Sequence, residues 1–384
     1  MKKNFKIFQI IFISLIYLCP ISVYSEEKIK IGLLVPMTGD NKKLGELIIE
    51  SARIALKDID TNLLEIHPKD SGTSPTETLK SAFEFKDMGI NIIIGPIFYK
   101  NLSFLEEVED VIFLSLTNKT INLPRNVISS GVNATSQLNT IKKFISLKEI
   151  KNTIFLTPKL DYEAEIKKGI KNSKIKVSKH YVYETEPTKL TSQIEKITNY
   201  KKRKQNLLDE IKRVENSNED NKEKIIARLE KLDTIGGINF DSVIIADFEE
   251  SLKSVATSLI YTDIPPSRVT YITLNQWFDK SLLNEEMIQP IYFPSVNFEN
   301  YQSYLDKYYE NFKNSSNQIA FLSYDLTGLV YYLLFKNNFV VDNQIFYKKN
   351  SFKGKIGVFE INKNIITHQL NFYEISEKKI KKIF

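Results

Sequence analysis

Polar side chains collect where the apolar runs of this chain stop. Residues 29–35 form a short apolar run that Pro36 ends, because proline has no amide hydrogen with which to continue a central strand. Thr38 stands in the polar loop that follows, Met37-Thr38-Gly39-Asp40-Asn41. The runs 90–94 and 111–116 also give way to polar loops, at Tyr99 and at Thr117. Farther along, the run 242–246 stops at Asp247-Phe248-Glu249-Glu250, and the run 269–274 stops at Asn275-Gln276-Trp277. Ligands of parallel α/β sheets gather at the carboxyl ends of the strands, so these loops form the two walls of a candidate cleft. Each residue also has an ordinary alternative. Loop hydroxyls and amides cap helices and turns, acids at a helix start meet the helix dipole, and Trp277, the only tryptophan, is of a type that packs as readily as it stacks.

A catalyst needs a nucleophile, a base and an orienting group within reach of one another. Outside the first 25 residues the histidines are His67, His180 and His368, far apart in sequence and without the paired spacing of a metal site. The HExxH, GxSxG, GxxxxGK[ST] and GxGxxG patterns are absent. Asp and Glu are plentiful, but no spacing selects a carboxylate pair of the kind glycosidases use. The expectation is a protein that binds without catalysing and needs no cofactor or metal.

The elements that must hold these loops follow an α/β rhythm. After the strand at 29–35, Leu44, Leu47, Ile48, Ser51, Ala52, Ala55 and Leu56 fall on one helical face. Strands are expected at 63–68, 90–94, 111–116, 153–156, 177–183, 242–246, 269–274 and 291–294, with helices at 76–88, 102–110, 135–147, 252–260, 298–312 and 319–335. The fold class is α/β: two Rossmann-like lobes with parallel central sheets joined by a multi-strand hinge, plus a helical-hairpin insertion. The lobes are assigned as 26–147 for the first part of the N-terminal lobe, 148–290 for the C-terminal lobe, 291–350 for the return to the N-terminal lobe, and 351–384 for closing strands and a basic tail. Strands 354–362 and 367–375 pair as a hairpin, and the tail 378–382 frays.

The insertion occupies 191–234. Ile194, Ile197, Tyr200, Leu207, Leu208, Ile211 and Val214 mark one apolar stripe, and Ile225, Ile226, Leu229 and Leu232 a second. Asn216 to Asn221 between them is turn material, so two antiparallel helices are expected. Between Lys201 and Lys231 stand ten basic and seven acidic side chains, a pattern that suits a solvated arm or a docking surface for a protein partner.

Length and composition set the frame. At 384 residues the chain suits two domains, and 42% hydrophobic with 26% charged residues is ordinary for a globular protein. Lys2, Lys3 and Lys6 precede an apolar run at 7–18, which reads as a signal peptide of residues 1–25 cleaved after Ser25, with export to the periplasm. Membrane association would require lipidation of Cys19 or retention of the signal. Cleavage removes the single cysteine and with it any disulfide or thiolate chemistry. It also takes away three of the 53 basic residues and none of the 47 acidic ones, leaving 50 against 47. That balance gives no reason to expect nucleic acid binding.

The opening IGLLVPMTG with Gly45 in the following loop and SARIAL in the helix resembles the start of type I periplasmic binding proteins, the superfamily of branched-chain amino acid receptors. Gly95-Pro96-Ile97-Phe98 and Ser115-Leu116-Thr117 resemble strand ends of that superfamily, and the resemblance implies Tyr99, Ser115, Thr117 and Asn118 as ligand contacts. Asp161-Tyr162 stands where the superfamily has an acidic-Tyr-Gly loop, with Glu163 in place of the glycine, which adds Tyr162. Ser323-Tyr324-Asp325 stands where the superfamily has A-Y-D, read as structural helix residues near the hinge. The order of the charged insertion, Leu232-Asp233-Thr234-Ile235-Gly236, FDSVIIAD at 240–247 and LNQWFD at 274–279 resembles the penicillin-binding protein activator branch. The resemblance implies a non-catalytic periplasmic protein that binds a small ligand or a protein partner in cell-wall synthesis. The alternative is a transporter receptor for amino acids or similar small polar solutes, in which Ser115 and Thr117 would cradle a carboxylate and Asp247 would meet an ammonium.

Overall fold

The computed structural model describes residues 28–384; the expected signal peptide of residues 1–25 and Cys19 lie outside the described residues. The first five strands, β1 (Ile29–Val35), β2 (Leu64–Asp70), β3 (Ile92–Ile94), β4 (Ile112–Ser115) and β5 (Val127–Ser129), are followed by β6 (Thr153–Pro158), β7 (Lys179–Tyr183), β8 (Ser242–Ile245), β9 (Thr270–Thr273) and β10 (Ile291–Ser295). Five more close the chain: β11 (Asn350–Lys353), β12 (Val358–Asn362), β13 (Ile365–Gln369), β14 (Asn371–Ser376) and β15 (Lys379–Lys382). They build two sheets, ordered β11-β12-β13-β5-β4-β3-β1-β2 and β15-β14-β10-β9-β8-β6-β7. Pairing is parallel through the centre of each sheet and antiparallel only at the closing strands. The central strands are apolar because both faces are covered: β3, β4 and β5 are buried at every position.

The helices are α1 (Lys42–Ile59), α2 (Pro75–Asp87), α3 (Ala134–Leu147), α4 (Glu163–Ser173), α5 (Pro187–Ile197), α6 (Tyr200–Glu215), α7 (Lys222–Leu229), α8 (Glu249–Tyr261), α9 (Phe298–Phe312) and α10 (Gln318–Lys336). Helix α2 starts where Ser74 and Glu77 cap each other's backbone amides in a capping box. Asn133, Asn297 and Asn317 each accept a backbone N–H and so cap α3, α9 and α10. Helix α10 is long and apolar enough to cross a membrane, yet most of it is buried, packed along α1. The start of α1 lies directly on the end of β1, where a Cβ on Gly45 would come within 1.8 Å of the Pro36 carbonyl oxygen.

Three short segments join the lobes: 130–133 after β5, 296–297 after β10, and Leu370 between β13 and β14. Several expectations change here. Helix α3, assigned to the first lobe, packs Leu138, Ile141 and Phe144 against Phe155, Ile244 and Phe372 of the second. Strand β10 lies in the second sheet between β9 and β14 and does not return to the first lobe. The expected strand 367–375 splits at Leu370: β13 pairs with β12, while β14 pairs with β10. The tail does not fray, because β15 pairs with β14. The expected helix 102–110 is two short 3-10 turns, Tyr99–Leu102 and Leu105–Glu107.

The insertion is three helices, not a two-helix hairpin. The long stripe breaks at Asn199, whose φ of 52° lies in the left-handed region that asparagine tolerates. Leu190 and Ile194 of α5 join the main core, whereas Leu207, Val214 and Leu229 form a cluster of their own. Arg203 fastens the break. It is 2% exposed and donates to the Thr198 carbonyl (3.0 Å), to Thr234 Oγ1 (2.8 Å) and to the Thr262 carbonyl, with Asp263 completing the ion pair.

Candidate functional site

On the first-lobe wall most of the candidate polar groups are engaged within the protein. Thr38 is exposed, and its hydroxyl donates to Asp70 Oδ2 at 2.5 Å, tying the loop after β1 to the end of β2. Burial raises the Asp70 pKa, but hydrogen bonds from the Met37 N–H, the Thr38 hydroxyl and the Gly72 N–H outweigh it and hold the carboxyl below its ordinary value. The Tyr99 hydroxyl donates to the Ile121 carbonyl at 2.9 Å. Ser115 is fully buried and donates to the Pro96 carbonyl at 2.7 Å. The Thr117 carbonyl receives the Gly131 N–H (2.8 Å) and the Ser129 hydroxyl (2.9 Å), and its Oγ1 accepts the Lys119 N–H at 3.2 Å. A Cβ on Gly131 would sit 2.6 Å from that carbonyl, so only glycine lets the hinge segment lie against the loop. Asn118 is exposed.

The second-lobe wall centres on Asp247, which is 4% exposed. The Tyr183 hydroxyl donates to its Oδ2 at 2.5 Å, and the Phe248 N–H donates to its Oδ1 at 3.0 Å. Burial raises the Asp247 pKa, with both hydrogen bonds pulling the other way. Burial beside the Asp247 charge likewise raises the Tyr183 and Tyr162 hydroxyls, so both remain protonated donors. Tyr162 donates to the Ala246 carbonyl at 3.0 Å and meets Phe248 edge-on. Tyr162 and Asp247 therefore share one cluster. Tyr183 belongs to it too and escaped sequence reasoning; its only signal was its place at the end of an expected strand.

A second group unseen in the sequence spans the lobes. Glu165, in the first turn of α4, accepts the Thr120 N–H (2.8 Å), the Thr120 hydroxyl (2.7 Å) and the Ile121 N–H (2.9 Å). Lys168 Nζ donates to the Thr120 carbonyl at 2.7 Å, and Lys119 Nζ reaches the Asp161 carbonyl at 3.4 Å. This clamp joins the loop after β4 to the start of α4.

Glu249 and Trp277 line a groove of about 940 Å³ together with Asn275, Gln276, Phe298 and Tyr301. Three of its positions have left-handed backbone without being glycine: Glu249 at φ 50°, Trp277 at 48° and Phe278 at 62°. Such conformations cost on the order of 1–3 kcal/mol each. Phe278 is held by edge-on contacts with Phe293, Phe298 and Tyr373. The structure thus sorts the candidates. Ser115 ends β4, and Thr117 and Asn118 share the loop after it, with Tyr99 beside it. Tyr162 and Asp247 share the buried carboxylate cluster, Glu249 and Trp277 share the groove, and Thr38 braces the β2 end. Among the described residues no cluster of three His, Cys, Asp or Glu side chains could hold a metal ion.

No protein-family model and no curated protein matches the chain by sequence. Solved structures do match by shape. The C-terminal domain of LpoA (YraM) from Haemophilus influenzae, a regulator of PBP1A, superposes with a TM-score of 0.62 at 14% identity, over 92% of this chain and 100% of that domain. The match spans 59% of full-length LpoA. A Rhodospirillum rubrum protein assigned to branched-chain amino acid ABC transport gives a TM-score of 0.68 at 11% identity, over 93% of this chain and 100% of that one. LivJ from Streptococcus pneumoniae, a branched-chain amino acid transporter substrate-binding protein in complex with isoleucine, gives 0.53 at 14%, over 92% and 98%. The fold is the type I periplasmic binding fold.

Proposed function

We propose that this chain is a non-catalytic, exported protein of the type I binding fold that works through a protein partner in cell-wall synthesis, by analogy with the PBP1A regulator it resembles in shape. One observation carries the choice between this reading and a solute receptor. Two of the three groups that would cradle a free amino acid are engaged internally: Ser115 by the Pro96 carbonyl, Asp247 by Tyr183 and the Phe248 N–H. An amino acid would have to displace those bonds, and a buried group that loses its partner costs about 1–3 kcal/mol. The Glu165 clamp supports the same reading by joining the two lobes through the protein's own hydrogen bonds. Charged groups of the insertion, anchored through Arg203, offer a surface for a partner.

The test is interferometry of the exported protein against the periplasmic domain of a PBP1A-type synthase from the same organism, beside calorimetry with leucine and isoleucine. Saturable binding to the synthase and no heat from the amino acids is the expected pair of results. Saturable isoleucine binding without synthase binding would overturn the proposal in favour of the receptor reading, which the amino acid receptors among the structural matches keep in view.

A further inference from the structure

We infer that the outer edge of β7 receives an extended segment of the protein partner, which adds a strand to the second sheet; this rests on the partner reading above and locates where the partner binds. An edge strand presents unpaired backbone N–H and C=O groups, and natural proteins shield such edges with proline, with lysine or by keeping the strand short. Four strands stand at edges among the described residues, β2 and β11 in the first sheet and β7 and β15 in the second. Three of them carry a shield. Strand β2 contains Pro68. Strand β15 has four residues, of which Lys379, Lys381 and Lys382 are lysine. Strand β11 also has four residues, ends in Lys353 and follows Lys348 and Lys349. Strand β7, Lys179-His180-Tyr181-Val182-Tyr183, has its one lysine at the first position and no proline, and Tyr181, Val182 and Tyr183 are of types that favour strands. It is the edge left open to another backbone.

The free groups on that edge follow from the pairing. Strand β7 pairs in parallel with β6 alone, and the Ser178 N–H just before it donates to the Thr153 carbonyl of β6 at 2.7 Å. Backbone direction alternates from residue to residue along a strand. His180 and Val182 therefore turn their amides toward β6, as Ser178 does, and Lys179 and Tyr181 turn theirs outward. The strand is held in shape by its own side chains: His180 Nε2 lies 2.9 Å from Thr157 Oγ1, its ring meets Phe155 edge-on, and the Tyr183 hydroxyl donates to Asp247. An incoming strand thus meets a preformed edge and bears little of the cost of ordering it. Val182 is 38% exposed and free to pack against a cross-strand neighbour. Beyond β7 the chain runs through 184–186 into α5, where the Glu184 N–H donates to Gln193 Oε1 at 3.3 Å, so the edge is continuous with the insertion whose charges face the partner. Main-chain hydrogen bonds supply affinity in this mode of recognition and side chains supply selection. The segment that fits has an apolar residue beside Val182 and an acidic one beside Lys179.

The probe is the periplasmic domain of the PBP1A-type synthase, followed by hydrogen exchange and by interferometry. Saturating synthase should slow exchange within 178–183 about tenfold or more, while the shielded edges β11 and β15 exchange as before. Tyr181→Pro removes an outward N–H without removing a bond to β6, and Val182→Lys gives β7 the lysine shield that the other edges carry. Each should weaken synthase binding about tenfold or more with thermal unfolding unchanged. Val182→Lys carries the test if Tyr181→Pro fails to fold. Synthase binding that leaves exchange within 178–183 unaltered, or that is as tight to the folded variants as to the parent, overturns the edge site and leaves the partner reading standing. Absence of synthase binding to the parent overturns both.

Discussion

His368 and Asp325 should pull the pH dependence of stability in opposite directions, and separating them is a stringent test of the hinge. His368 is 3% exposed, its Nε2 donates to the Ser130 carbonyl at 2.8 Å, its Nδ1 has no partner, and its ring packs on Phe359. Burial pushes its pKa down to about 4 from an ordinary 6.5. Between those values the unfolded chain binds the extra proton. The stability contributed by neutral His368 is therefore complete above pH 6.5 and lost as the pH falls toward 4, by roughly 3 kcal/mol. Asp325 is 2% exposed, and burial pushes it up to about 6, partly offset by the Ile356 and Lys355 N–H groups that its carboxylate accepts. Here the folded state binds the proton more tightly. Its contribution is complete below pH 3.8 and lost as the pH rises through 6, again by roughly 3 kcal/mol. Across pH 4 to 6.5 the two nearly cancel. Urea unfolding at pH 7, 5.5 and 4 should show Asp325→Asn losing roughly 3 kcal/mol more than the parent on acidification, and His368→Gln losing that much less. Other carboxylates titrate in all three proteins and drop out of the difference. Parallel pH profiles for the three would refute the reasoning.

Glu165→Ala leaves the Thr120 and Ile121 N–H groups without their acceptor, and urea unfolding should register a loss of roughly 2–3 kcal/mol; a loss within experimental error would mean that the clamp bears no load. Arg203→Ala should cost roughly 3 kcal/mol, and hydrogen exchange should show protection falling across 200–229 before either sheet is affected. Gly45→Ala forces a methyl against the Pro36 carbonyl and should lower the denaturant midpoint by about 2 kcal/mol of stability or more, with β1 and α1 the first elements to exchange.

Signals carried within a few residues were legible. Pro36 and Gly95-Pro96 ended strands, the apolar spacing of α1 predicted its buried face, and the alternation of strand and helix foretold two parallel sheets. Asp247 and Trp277 were found as strand-end residues, and Asp247 does sit in a polar cluster. The misreadings share one cause. The apolar stripe from Ile194 to Val214 looks continuous because helical periodicity does not record which body each residue faces; the turn at Asn199 sends α5 to the main core and α6 to its own cluster. The run 367–375 looks like one strand, and only its two partners, β12 and β10, divide it at Leu370.

The identity of strands β1–β4 and β6–β10, the α/β class, the loops that carry polar groups and the lack of catalytic motifs were therefore set by the sequence alone, since each depends on propensity, turn chemistry or residue type over a short span. The tertiary structure alone decided which of those polar groups have a free valence. Tyr183 reaches Asp247 across 64 residues, Glu165 reaches Thr120 across 45, and Asn275 keeps an unpaired donor because its neighbours in space leave it none. Hydrogen-bond satisfaction is a property of the packed neighbourhood, and no local pattern in the chain encodes who the neighbours are.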